Sequence, residues 1–586
     1  MKSWRTVLAA TVLIAAFQHP GEAASPSDIG QWTQPFSLPM IAMHASMLPS
    51  GKVLLYSADH GVPGKQAYLL DPVTLAMQNM GPPEGWDPAC SGFSFLSDGR
   101  LLVTGGQVGT NPVTGPTLSY IFNPFTEQWT RIEDMRKGRW YPSNITLGDG
   151  RIVTFTGLDE NSDFNPLIEL WDPRGTNNWQ LLGEKIMDYY PNLHLLPSGL
   201  VFRSGPNDTS RSDTYNLSNN VWTVVATRNV MGRYDSPSVM LPPNPDRIMV
   251  MGGDDRTNPP TASAEIIDLS APSPRWTTIA PMHYARSDFN AVILPDGKIF
   301  VVGGRTNADW PQVFTLTPEI FDPQSLTWTT VAPHQVPKGY HSTAILLPDG
   351  RVWSGAGDYQ PWGEIYSPPY LFQGSRPVIQ SVPSVIQYGQ SFKLSFTSST
   401  ASNRVALIRN SCATHSVNMD QRYALLADLT NGSGTFKVSA PAAANLAPPG
   451  YYMLFVVDQN GVPSVSASVH VTSEPLKILE ARNMGSGSVQ LFWSMDFANV
   501  TVETTTSLGP TAIWSPVAGT PTILQGRYAM TISETSNPSL FYRLTVPLTN
   551  SSPAPIVRTA KFSSTYVSDA FCGPMSPHRN RKIAPE

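Results

Sequence analysis

Nine residues before a recurring turn, four stretches of this chain carry a thiol, two phenols and an imidazole. From Gly99 the count reaches Cys90, from Gly150 Tyr141, from Gly199 Tyr190 and from Gly350 His341. The same count from Gly51, Asp246 and Gly297 gives Ala42, Pro237 and Asp288, and Tyr340 directly precedes His341. Imidazole, phenolate and thiolate are metal ligands and take part in redox and proton transfer. A tyrosine heading an inner strand commonly packs, and a lone buried cysteine behaves as a small hydrophobe. Packing gives no reason for Cys, Tyr and His to share one address, so their coincidence points to a site.

The address comes from a repeat. Seven stretches combine a short strand, a turn usually of the Asp-Gly or Ser-Gly type and a β-branched strand, often ending in Gly. Their anchors are Gly51, Gly99, Gly150, Gly199, Asp246, Gly297 and Gly350, spaced about 47–53 residues, the kelch period. Strands bearing Trp-Thr recur between them, at Trp129, Trp222, Trp276 and Trp328. Each unit supplies about four strands, one blade of a β-propeller. The seventh repeat runs out at Ile365-Tyr366-Ser367-Pro368 without its Trp-Thr strand, and Gln31-Trp32-Thr33 precedes the first. The N-terminal strand is therefore expected to complete the last blade and leave no open edge.

The expected fold class is all-β: a seven-bladed kelch-type propeller over residues 25–373, then an immunoglobulin-like β-sandwich over 374–472. A second small β-sandwich is expected over 473–550 and a loosely ordered tail over 551–586. Residues 1–24 read as a signal peptide, with Lys2 and Arg5, an apolar run from Val7 to Phe17 and Gly21-Glu22-Ala23-Ala24. That run is too short to span a bilayer, and no later segment is long and apolar enough. A secreted or envelope-associated protein without a transmembrane segment is expected, acting as a monomer.

Composition agrees. The 586 residues include 55 Pro and 44 Gly but only 14% charged residues, which suits short strands and many turns. A net charge of −5 and no basic stripe argue against a nucleic-acid partner. Three cysteines, Cys90, Cys412 and Cys572, leave one over in an exported chain. His44, His60, His194 and His283 show no paired metal-ligand spacing and read as core or loop residues.

Cys90 in Ala-Cys-Ser-Gly-Phe, Tyr141 in Arg-Trp-Tyr-Pro-Ser, Tyr340-His341 in Gly-Tyr-His-Ser-Thr and His415 in Thr-His-Ser-Val-Asn-Met-Asp-Gln-Arg form an ordered set. Over residues 30–472 it resembles the copper radical oxidases, the galactose oxidase and glyoxal oxidase family. The resemblance implies one copper ion, with Tyr141, His341 and His415 equatorial and Tyr340 axial. It implies a thioether between Cys90 and the Tyr141 ring, which becomes a radical cofactor. It also brings His415 to the propeller channel on a loop of the sandwich domain. Imidazole and phenolate donors suit Cu(II). The implied reaction oxidises a primary alcohol or small aldehyde with O2, giving H2O2, with Tyr340 as general base. With Cys90 consumed, Cys412 and Cys572 are left to pair or stay free.

Two departures from galactose oxidase bear on the substrate pocket. Where that enzyme has a stacking Trp, about eighteen residues after the cross-linked Tyr, this chain has Asp159 followed by Glu160. Where galactose-oxidising members place an Arg near the sugar hydroxyls, this chain has Tyr190. Both residues are expected to line the pocket, and small aldehydes gain ground over sugars. A glycan- or protein-binding propeller without catalysis is the competing expectation.

Overall fold

In a computed structural model of the chain, each Asp-Gly turn of the repeat closes a β-hairpin. In Leu96–Arg100 the Leu96 N–H donates to the Arg100 carbonyl (2.8 Å) and Gly99 N–H to the Leu96 carbonyl (3.0 Å). Gly99 adopts φ 88°, the left-handed region that favours glycine, and the Asp98 carboxylate takes the Arg100 N–H (3.0 Å). The structure describes residues 24–57, 66–109, 111–175, 179–205, 210–308, 311–357, 360–429, 432–485, 487–509, 511–533, 539–546 and 560–563. Residues 1–23 of the expected leader, His60, Cys572 and all of the expected tail except 560–563 lie outside them.

Seven antiparallel sheets built on these hairpins follow one another along the chain, each with its first strand innermost. The seventh takes its outer strand from the N-terminus: Gln31 pairs with Ser367 and Trp32 with Tyr366. Trp32 shows that this strand belongs to the ring. Three tryptophans in or beside the outer strands donate their indole N–H to a carbonyl of the preceding blade, Trp129 to Met80, Trp179 to Glu133 and Trp328 to Ala280. Trp32 does the same to Ala332 of the sixth blade (2.7 Å). The propeller is closed as the sequence implied.

A buried ion pair repeats between blades. Arg139 pairs with Glu169, Arg233 with Glu265, Arg286 with Glu319 and Lys338 with Glu364, all essentially without solvent. Each carboxylate also accepts a backbone N–H from the segment entering its own blade: Arg136, Asn229, His283 and Gln335 at 2.7–2.9 Å. The cation then fixes the chain two or three residues before the axial address.

Beyond the propeller, one sandwich packs a three-stranded sheet on a five-stranded one, and a second packs two four-stranded sheets. Both rest on the Ser97–Arg100 turn. His470 of the first meets the Ser97 carbonyl (2.7 Å), while Asp496 accepts from the Ser97 hydroxyl (2.9 Å) and Tyr528 donates to Asp98 (3.0 Å). No helix among the described residues is long and apolar enough to cross a membrane.

His194, on the inner strand of the fourth blade, meets the Ser238 hydroxyl at 2.8 Å. Burial first, then Arg422, lower its pKa from 6.5 to about 3. A depressed folded-state value contributes stability that is complete above pH 6.5 and lost as pH falls toward 3, because the unfolded chain takes up the proton first. Denaturant melts across that range should show a shallower acid slope for His194→Asn than for wild type. Equal slopes would remove His194 from the acid response.

Candidate metal centre

The address nine residues before each turn is a backbone conformation. Cys90, Tyr141, Tyr190, Asp288 and His341 adopt φ between 41° and 67°, a region uncommon for non-glycine residues. That kink turns each side chain toward the axis as its inner strand begins. Their backbones link from blade to blade: Tyr141 N–H donates to the Cys90 carbonyl (2.8 Å) and Tyr190 N–H to Tyr141 (3.0 Å).

In the fifth blade the residue is Asp235 (φ 52°), not the counted Pro237, and Asp288 N–H donates to its carbonyl (2.8 Å). The cause is local. Leu241 N–H reaches Arg247, whereas Leu96 reaches Arg100 and Leu147 reaches Arg151, so this hairpin turn is longer by two residues. Ala42 of the first blade is buried and outside the left-handed set.

Next to the first blade the axis is entered by the sandwich domain. Its strand Cys412–Thr414 pairs with the inner strand His44–Met47, so a hairpin of the second domain extends the first blade's sheet. His415 (φ 44°) and Ser416 (φ 66°) form the hairpin tip. The Asp-Gln-Arg run that follows anchors it to three blades. Asp420 accepts from Phe95 N–H (2.8 Å), Gln421 from Ile293 N–H (2.8 Å), and Arg422 donates to the Leu195 carbonyl. Cys412 lies buried on this hairpin with no disulfide partner among the described residues.

These elements bring Cys90, Tyr141, Tyr340, His341 and His415 together. The hydroxyls of Tyr141 and Tyr340 are in direct hydrogen bond. Donor atoms of Cys90, His341 and His415 lie within 4.8 Å of one another, and Cys90 Sγ is 3.6 Å from His415 Nε2. The His415 tautomer follows from its neighbour. Thr414 Oγ1 donates to the Met43 carbonyl (3.0 Å), so it accepts from His415 Nδ1–H (2.5 Å), leaving Nε2 with its lone pair. Burial, then His341 and His44, hold His415 well below its ordinary pKa, as a neutral ligand requires. Burial, then the Cys90 thiol, push the Tyr141 phenol well above its usual value, and the same causes raise Tyr340. A divalent cation among them would reverse that balance, since it stabilises phenolate. Two imidazoles and two phenols fit copper.

Tyr141, Tyr340 and His415 of this cluster line a cavity of about 320 Å³. Tyr190 lines it, and its hydroxyl donates to the Ser91 carbonyl (2.9 Å). Asp159 is not among the lining residues. It is fully buried, paired with Lys137, and accepts Asn161 N–H (2.8 Å). Trp140 stands edge-on to Tyr141 at 4.3 Å between centroids, and Tyr189 lies at 5.1 Å. These aromatics, not the acidic pair, enclose the Tyr141 ring. Asp235, Ser236 and Arg256 also line the cavity, and Arg305 bridges Asp288 (2.5 Å) to Asp254. Counting from turns missed Asp235 and the arginine clamps. An Arg two residues before Tyr141, Asp235 and Asp288 was the available signal.

A family model described as the glyoxal oxidase N-terminus matches residues 84–362, and one described as the galactose oxidase-like early set domain matches 376–471. The chain is 31% identical over 439 residues to the aldehyde oxidase GLOX of Vitis pseudoreticulata, covering 66% of this chain and 82% of that protein. The chain belongs to the copper radical oxidase family. It is also 29% identical over 524 residues to the galactose oxidase of Gibberella zeae, covering 78% of this chain and 73% of the relative. A solved structure described as a novel fungal alcohol oxidase of the AA5 family, in complex with copper, superposes on this copper radical oxidase with a TM-score of 0.67. The two are 28% identical, and the match covers 76% of this chain and all of that one.

Proposed function

We propose that this chain is an exported, monomeric copper oxidase that converts a primary alcohol or small aldehyde with O2, releasing H2O2. The observation that carries the reading is the convergence of Cys90, Tyr141, Tyr340, His341 and His415, from two domains, on one site whose Tyr141, Tyr340 and His415 line a cavity.

Tyr141, Tyr340, His341 and His415 would hold the metal, and copper when bound supplies a one-electron acceptor and a Lewis acid. Two-electron oxidation needs a second acceptor. The Tyr141 ring, joined to Cys90 Sγ by a thioether, supplies it as a radical. Tyr340 takes the substrate hydroxyl proton as general base, and the Tyr141 radical takes the carbon-bound hydrogen atom. The balance is one alcohol and one O2 giving one aldehyde and one H2O2; an aldehyde reacts as its hydrate, which with one O2 gives one carboxylic acid and one H2O2. Trp140, Tyr189 and Tyr190 keep water from the radical ring and offer flat faces to a substrate. The cavity admits a small molecule or one end of a longer one.

Intact mass of copper-loaded, aerobically prepared protein tests the reading. Wild type is expected to be two hydrogens lighter than its sequence, and Cys90→Ser to show no such loss. Peroxide release is then measured on a panel of primary alcohols and aldehydes. An unmodified wild-type mass with no peroxide from any of them would sink the proposal and favour a binding propeller.

A further inference from the structure

His44 reads from the sequence as a core or loop residue, and its ring is fully buried. It lies parallel to Tyr56 (4.3 Å, 12°) and edge-on to Phe93 (5.2 Å). The imidazole nevertheless makes one polar contact that a core aromatic could not: Nε2 accepts the Cys90 backbone N–H at 3.0 Å. A backbone N–H can only donate, so Nε2 carries the lone pair and Nδ1 the proton. Nδ1 is buried without a hydrogen-bond partner among the described residues. Phenylalanine would fill the same space without that orphan donor, so packing alone does not explain histidine here.

The ring of axial residues supplies the reason. Tyr141, Tyr190 and Asp288 each donate their N–H to the carbonyl of the equivalent residue one blade earlier. For Cys90 the earlier blade is the first, whose axial side carries the hairpin that bears His415. There the acceptor is a side chain: His44 Nε2 takes the place of the missing carbonyl. His44 also faces Thr414 across the pairing of its strand with the hairpin, so one residue joins the first blade, the His415 hairpin and Cys90.

We infer that His44 is a positioning residue that holds Cys90 in its left-handed conformation and aims its sulfur for cross-linking to Tyr141. The inference rests on the cross-linked oxidase reading above. Joining Cys90 Sγ to a Tyr141 ring carbon breaks one S–H and one C–H bond and forms one C–S bond. Two protons and two electrons leave, and O2 accepts them as H2O2. Without the Nε2 acceptor, Cys90 samples other backbone conformations and its sulfur meets the ring less often.

The test prepares wild type, His44→Phe and His44→Gln without copper, adds copper in air and follows intact mass with time. Copper stoichiometry and melting midpoint are read on the same samples. His44→Phe is expected to bind one copper and to lose its two hydrogens about tenfold more slowly. His44→Gln keeps an acceptor near the Nε2 position and should stay within about threefold of wild type. Cross-linking of His44→Phe at the wild-type rate would overturn the inference. So would a folded His44→Gln that cross-links tenfold or more below wild type, which decides the matter even if His44→Phe does not fold. A wild type that never loses hydrogens would instead remove the oxidase reading, and this inference with it.

Discussion

Tyr141→Phe is expected to fold as wild type does and to lose turnover by roughly four orders of magnitude or more, beyond the usual range for losing a single acid or base. The hydroxyl of Tyr141 meets that of Tyr340 and leaves the blade's own ladder untouched, so its loss should cost only about 1 kcal/mol of stability. The same atom would be a copper donor and the seat of the radical's oxygen, so nothing nearby can replace it. Tyr190→Phe is the matched control. Tyr190 shares the address, lies 4.8 Å from Tyr141 between ring centroids and hydrogen-bonds the Ser91 carbonyl. Its loss should lower kcat/KM by less than about tenfold. Equal damage in both variants would make the address a packing layer. Unchanged peroxide release in Tyr141→Phe would move the radical elsewhere.

What could be read before the structure was what repeats. The kelch period placed the blades, and the absent seventh Trp-Thr strand implied the N-terminal closure that Trp32 makes. The nine-residue count found five axial residues because their hairpins share one turn geometry. It failed at Pro237 because two extra residues in the Leu241–Arg247 turn shift the register, which a fixed count cannot sense. His415 lies outside the repeat, and family resemblance alone singled it out. Its route, strand addition to the first blade, depends on pairing between segments some 370 residues apart, of which neither carries a local signal. Asp159 was placed by counting along one loop, but Lys137 and backbone N–H groups draw its carboxylate inward. The enclosure of Tyr141 comes from Trp140 and Tyr189, on two adjoining blades.

Glu169→Ala should be the most destabilising single change near the site, by about 3–5 kcal/mol in denaturant unfolding, because it strands the buried Arg139 guanidinium. Arg139 and Glu169 have no solvent access, and the pair meets at 2.7 Å. Arg139 also donates to the Thr156 (2.6 Å) and Leu167 (2.8 Å) carbonyls, which tie the third blade's strands to the segment entering it. Two residues later Tyr141 takes its left-handed conformation, so the clamp and the Tyr141 ring share one short stretch of chain. Arg139→Met combined with Glu169→Leu removes the charge problem and should recover most of the lost stability. The double variant loses both carbonyl bonds, however, and nothing apolar can restore them. If the clamp serves only stability, cross-link formation should return with the melting midpoint. If it sets the Tyr141 conformation, stability will return while the loss of two hydrogens stays slow, and the repeated ion pair will have a role in the chemistry at the axis.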